Sequence, residues 1–159
     1  MPATLDRIDF EILAALQKDA RLSNKELAAR IGLAPSSCHE RMRRLERERV
    51  FRGFHAEVDP HALGIGLEAL IFVRLVRDSR ERVEEFRRYV LTLPEAVGLF
   101  HVTGEFDFVV QVKLRDAGHL RNLTLDAFTT RSEVSNLETH LVFEHVRKPE
   151  LPRLVEPGP

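Results

Sequence analysis

Tryptophan is absent from this chain, tyrosine and cysteine occur once each, and the formal net charge is only −1. A single thiol, Cys38, excludes an intramolecular disulfide framework. Uncharged apolar stretches such as Ala69 to Val73 are far too short to cross a bilayer. The first residues carry acids and no apolar signal core, so the expectation is a cytoplasmic protein with no membrane partner. No glycine-rich phosphate loop occurs, and the seven histidines (39, 55, 61, 101, 119, 140 and 145) show no paired metal-ligand spacing. These absences predict no metal, no cofactor and no enzyme. What is present, 43% hydrophobic and 31% charged residues in a chain of 159, is the composition of a folded globular protein with room for one ordinary domain or two small ones.

The near-zero net charge hides an uneven distribution. Residues 1–56 hold 11 Lys/Arg against 8 Asp/Glu, residues 57–159 hold 13 against 17, and Arg41 to Arg52 alone contains six arginines and two acids. A local basic cluster suits a phosphate-bearing partner, and a solvated helix face laced with Glu–Arg pairs is the plainer alternative. Asp6 can cap a helix whose first turn carries Asp9 and Glu11, whose apolar face is Ile8, Ile12, Leu13 and Leu16, and which ends near Asp19. Ser23-Asn24-Lys25-Glu26 has capping-box form and opens a second helix, with Leu27, Ala28 and Ile31 inward and Gly32 at its end. Pro35 fits the first turn of a third. On it Cys38, Met42 and Leu45 share one face and Ser36, Glu40, Arg43 and Arg47 the other, with Ser37 and Arg44 beside it.

Two short helices joined through a glycine turn, the second with serines at its start and arginines along its outer face, predict a helix-turn-helix over residues 1–50 and double-stranded DNA as partner. In that arrangement the third helix enters the major groove N-terminus first. Small Ser36 and Ser37 allow close approach, Glu40 can accept from a cytosine amine, and Arg43, Arg44 and Arg47 reach phosphates. Taken singly, Ser36 and Ser37 fit ordinary polarity at a helix start just as well, and Cys38 reads as a small buried hydrophobe.

Val50 to Val58 (VFRGFHAEV) is β-branched and aromatic and predicts a strand leaving this unit. Asp59-Pro60, Gly64 and Gly66 then mark a boundary, so residues 51–66 read as a strand linker. Over 67–148 the types alternate. A strand spans 68–76, and a helix runs from Ser79 to Leu93 with Val83, Phe86, Val90 and Leu93 inward. A strand spans 96–103, and Gly104-Glu105 turns the chain. The next strand, 106–114, has Phe106, Phe108, Val110, Val112 and Leu114 on one face. A helix from Asp116 to about Phe128 and a strand over 134–146 complete the set, and residues 149–159 read as a tail. The order β-α-β-β-α-β predicts a ferredoxin-like domain, a four-stranded antiparallel sheet with both helices on one face, so the fold class is α+β. In the first of these strands Ala69, Ile71, Val73 and Leu75 alternate with Leu70, Phe72 and Val76, which makes both faces apolar. Helices cover only one, so the pattern predicts a homodimer packed through the other.

Three stretches, LDRIDFEILAALQKDARLSNKELAARIGLAPSSCHERMRRLE, RGFHAEVDPHALG and VTGEFDFVVQV, resemble the Lrp/AsnC, or feast/famine, transcriptional regulators, and the resemblance spans residues 5 to about 148. It implies a winged-helix-like DNA-binding domain tethered by a strand to a ferredoxin-like effector domain. It further implies dimers through the effector sheets, assembled onward into octamers, and an amino acid or similar metabolite bound between dimers near the VTGEFDF turn. Carried over position by position, Thr103, Gly104 and Asp107 are the candidate effector contacts, with Thr139 and His140 as further ones. A glycine turn exposes backbone groups, and an aspartate beside it can pair with an α-ammonium; a plain hairpin glycine followed by a solvated aspartate is the alternative. The chain departs from the family pattern at two places. Arg49 stands where the family has glycine after the recognition helix, and Ala34 replaces a capping serine. Two other functions compete with this reading. A sirohaem decarboxylase of related fold calls for a Tyr-Asn pair, which does not follow His101 here. An architectural DNA-binding protein would need no effector.

Overall fold

Asp6 and Ser23 set the first two helices. Each accepts a hydrogen bond from the backbone N–H three residues on, and the carboxylate there, Asp9 or Glu26, accepts one back from the capping residue. These caps open α1 (Arg7–Lys18) and α2 (Asn24–Arg30). Gly32, at φ +70°, turns the chain toward α3 (Pro35–Arg47), where Ala34 supplies no side-chain cap and Pro35 occupies the first turn. Ile12, Leu16, Leu27, Ala28, Cys38 and Leu45 close one core between the three helices.

The computed structural model describes residues 4–76 and 79–158. It divides into two units, Val58–His145 and the segments Met1–Glu57 and Val146–Pro159 together. The sequence-predicted strand at Val50–Val58 is not formed. Residues 50–59 have no regular structure and are mostly exposed, because β-branched and aromatic residues become a strand only where a neighbour supplies the ladder. A single 3₁₀ turn, Pro60–Leu63, follows. The last residues run antiparallel along α1. Glu150 pairs with Lys18 at 3.0 Å, the Leu151 N–H donates to Gln17 Oε1 at 2.8 Å, Arg153 lies over the Phe10 ring, and the Gly158 N–H donates to the Leu5 carbonyl.

In the second unit β1 (Leu67–Leu75), α4 (Arg80–Val90), β2 (Ala96–His101), β3 (Phe108–Leu114), α5 (Ala117–Leu123) and β4 (Val134–Leu141) follow the expected order. A π-helical stretch, Thr124–Thr129, continues α5. The sheet is antiparallel throughout, in the order β2-β3-β1-β4. Ala69, Ile71, Val73 and Leu75 of β1 and Phe108, Val110, Val112 and Leu114 of β3 face α4 and the π-helical stretch, burying Phe86, Val90 and Phe128 with them. Truncating any one of these phenylalanines to alanine should cost about 3–5 kcal/mol. β4 ends at Leu141, not near residue 146. Phe106 is not on the core face: it precedes β3, and its ring meets Phe72 at 5.6 Å.

Arg49 ends α3 in the left-handed conformation, φ +56°, the one non-glycine residue at positive φ among the described residues. Its N–H bonds to the Glu46 carbonyl and the next N–H, of Val50, to that of Leu45. The helix therefore keeps the closure a glycine would give, with a Cβ where glycine has none. A left-handed L-residue costs roughly 1–2 kcal/mol, so Arg49→Gly should stabilise the N-terminal unit by about 1 kcal/mol. Amide hydrogen exchange in α3 reads this directly, as slower exchange in the variant.

Candidate nucleic-acid interface and effector site

Cys38 and Leu45 anchor α3 in the core, so the opposite side of the helix faces water. Ser36, Ser37, Glu40, Arg43 and Arg47 are all exposed there. Arg44, read from the sequence with this set, is placed differently. Its Nη2 is hydrogen-bonded to Asp9 Oδ2, and its side chain is only 33% exposed. Beside it Arg41 Nη1 donates to Asp9 Oδ1 at 2.9 Å and to Asp6 Oδ2 at 2.6 Å. Burial alone would raise the Asp6 carboxyl, but the Asp9 backbone N–H and the Arg41 guanidinium together outweigh it and hold the group below the usual carboxylate range. Sequence reading assigned Asp9 to the helix dipole and missed this network. The available signal was two acids three apart at the start of α1, Asp6 and Asp9, and two arginines three apart on the flank of α3.

In the second unit, residues 102–107 connect β2 to β3. The Val102 N–H bonds to the Asp107 carbonyl, and Gly104 sits at φ +121° with open space where a Cβ would be. Thr103 and Gly104 are exposed at the tip. Asp107 is half-buried and has a partner. β1 runs past the start of β3, whose last pairing with it is Phe108 to Val73. The next inward N–H on β1, that of Leu75, would lack an acceptor, and Asp107 Oδ2 takes it at 2.7 Å. A carboxylate thus stands in for the missing strand carbonyl.

The two β4 candidates part company. Thr139 pairs with Ile71 and shares the helix-bearing face, whereas His140 pairs with Leu70 on the outer face. The His140 ring packs edge-on against Phe72 at 4.9 Å. Phe72 therefore brings His140 and the 102–107 loop, through Phe106, to one surface. This outer face also exposes Phe100 and Val102. At its far end Glu68 accepts from Lys113 Nζ and Gln111 Nε2, both at 2.6 Å. Partial burial raises the Glu68 carboxyl, and these bonds outweigh that and leave it below the ordinary range. A cavity of about 350 Å³ lies elsewhere, lined by Tyr89, Glu95, His119, Asn122 and Asp126 between the helices, and none of the sequence-predicted residues lines it.

A helix-turn-helix with an exposed, arginine-bearing third helix, on the same chain as a separate α+β unit, is the layout of a DNA-binding regulator with a sensory domain. Residues 5–52 match the winged helix-turn-helix DNA-binding family and residues 68–151 the Lrp/AsnC ligand binding domain; the chain belongs to the Lrp/AsnC family of transcriptional regulators. It is 41% identical to the HTH-type transcriptional regulator AldR of Mycolicibacterium smegmatis, over 90% of this chain and 84% of that one. It is 37% identical to the leucine-responsive regulatory protein of Escherichia coli, over 91% and 88%. A transcriptional regulator of Neisseria meningitidis, solved as its L-Met complex, superposes with a TM-score of 0.85 at 32% identity, over 91% of this chain and 94% of that one.

The bond from the Leu75 N–H to Asp107 sets the stability expected of variants there. Leu75 is buried, so Asp107→Ala leaves an unsatisfied N–H and should cost about 2 kcal/mol. Asp107→Asn keeps an acceptor oxygen and should cost less than half as much. Urea denaturation followed by the fluorescence of Tyr89, the single tyrosine and a residue of this unit, measures both.

Proposed function

We propose that α3 lies in the major groove of double-stranded DNA, with Ser36, Ser37 and Glu40 toward the base edges and Arg43 and Arg47 on flanking phosphates. The observation that carries this reading is the exposed polar face of α3, sealed from behind by Cys38 and Leu45. The effector is an amino acid held near Thr103, Gly104, Asp107 and His140. Asp107 Oδ1 makes no hydrogen bond among the described residues, so one carboxylate oxygen is left for an α-ammonium while the other holds β1. The exposed backbone around Gly104 suits a carboxylate. The Neisseria meningitidis relative solved with L-Met supports the ligand class. Thr139 points to the other face and joins this group least readily.

The functional unit is a homodimer, assembled further into octamers. The apolar residues of the outer sheet face, and a strand-forming linker without a partner in its own chain, support a second copy as their cover. Effector binding favours one assembly over another and so sets which DNA half-sites are reached together. The protein acts in the cytoplasm as a regulator, not an enzyme.

Replacing both Arg43 and Arg47 with alanine should lower operator affinity and reduce the slope of log affinity against log salt by about 0.9 per lost phosphate contact. Fluorescence anisotropy across a salt series tests this, and an unchanged slope would place DNA on another surface. For the effector, thermal melts against the L-amino acids should single out one or a few. A ligand at 100 times its Kd stabilises by about 2.7 kcal/mol. Asp107→Asn should lose that shift and keep its effector-free affinity for DNA; a variant that still responds in full would remove Asp107 from the site.

A further inference from the structure

Asp9 is the one charged residue fully buried among the described residues. A carboxylate in such a place needs paired, hydrogen-bonded partners, and it has three: the Asp6 N–H at 3.0 Å, Arg41 at 2.9 Å, and Arg44. The two arginines are not equivalent. Arg41 is shared between Asp9 and Asp6, which satisfies its inner side twice. Arg44 gives Asp9 a single nitrogen, and its Nε is buried without an acceptor. A guanidinium has five donors, and this one is a third exposed. It lies one helical turn from both Glu40 and Arg47, on the border between the interior of the domain and the face of α3 that carries the exposed arginine.

We infer that Asp9 is a positioning residue for DNA: from inside the domain it holds the Arg44 guanidinium so that its outer edge meets a backbone phosphate beside the one bound by Arg47. The buried carboxylate fixes one side of a planar fork, and the phosphate takes the other. Arginine bridges two oxyanions in this way, whereas a lysine, as a point charge, does not. The inference rests on the placement of DNA against α3 proposed above.

Simple charge counting and positioning predict opposite signs for Asp9→Asn. Removing a negative charge near the DNA face should raise affinity if only net charge matters. Loss of orientation should instead lower operator affinity about tenfold, and lower the salt slope by about one contact, although the protein has become more positive. Arg44→Gln should do the same, and the double variant should be no worse than either single one, because both remove one contact. Arg44→Lys keeps the charge and should recover less than half of the lost slope. Anisotropy titrations over a salt series, on the full chain with operator DNA, read all four, with the Arg43/Arg47 double variant as reference. Affinity and slope of Asp9→Asn equal to or above wild type would overturn the inference. If Asp9→Asn does not fold, Arg44→Lys decides alone: a wild-type slope overturns the inference and a reduced one supports it. If the reference variant also keeps the wild-type slope, it is the placement of DNA on α3 that has failed, and the inference falls with it.

Discussion

β1 lies between β3 and β4 in the sheet, with ladder partners on both edges and apolar residues on both faces. A single chain can cover only one of those faces with its two helices, and it does so with Phe86, Val90 and Phe128. Much else in the second unit follows from this one strand. Its inward residues fix the register of β3 and β4, because a slip of one residue would turn the whole core set to the outside. Its outward residues, Leu70 and Phe72, bring Phe106 and His140 together on the outer face, the surface proposed above as the seat of a second copy. Its overhang past β3 requires Asp107.

Under the effector placement proposed above, that overhang links stability to sensing. A carboxylate at the end of a strand pair is an economical acceptor for an orphaned N–H, since it can bond the protein with one oxygen and leave the other outward. Asp107 is thereby held in place by the protein itself, and in the proposed site a pre-oriented charge would lose little freedom on binding. The tip at Thr103 and Gly104 is the opposite case: both residues are exposed, and open space surrounds the position of a Cβ on Gly104.

The N-terminal unit handles charge by a different division. Its basic cluster is split by a buried carboxylate into tethered arginines, 41 and 44, and exposed ones, 43, 47, 49 and 52. Six arginines in twelve residues look like one patch in the sequence, yet only part of that charge is presented outward. The tethered pair also joins the start of α1 to the side of α3. The angle at which the recognition helix leaves its core is therefore held by ion pairs as well as by Cys38 and Leu45.

By itself the sequence determined the elements and their order. The cap at Asp6, the reciprocal cap at Ser23, the glycine turn at Gly32, the alternation in β1 and the β-α-β-β-α-β succession are local signals, each written within a few residues and each found in the structure. The exposed face of α3 was legible for the same reason, since helical spacing sorts Ser36, Glu40, Arg43 and Arg47 away from Cys38 and Leu45. Tertiary structure decided what distance along the chain conceals. One edge of Arg44 is tied inward because Asp9, thirty-five residues earlier, offers a buried charge to neutralise. Thr139 and His140 separated because the pairing of β4 with β1 sends adjacent side chains to opposite faces. Phe106 left the core face because its strand begins two residues later. Val50–Val58 has the composition of a strand and remained irregular, since a strand is completed by its neighbour's hydrogen bonds and not by its own side chains.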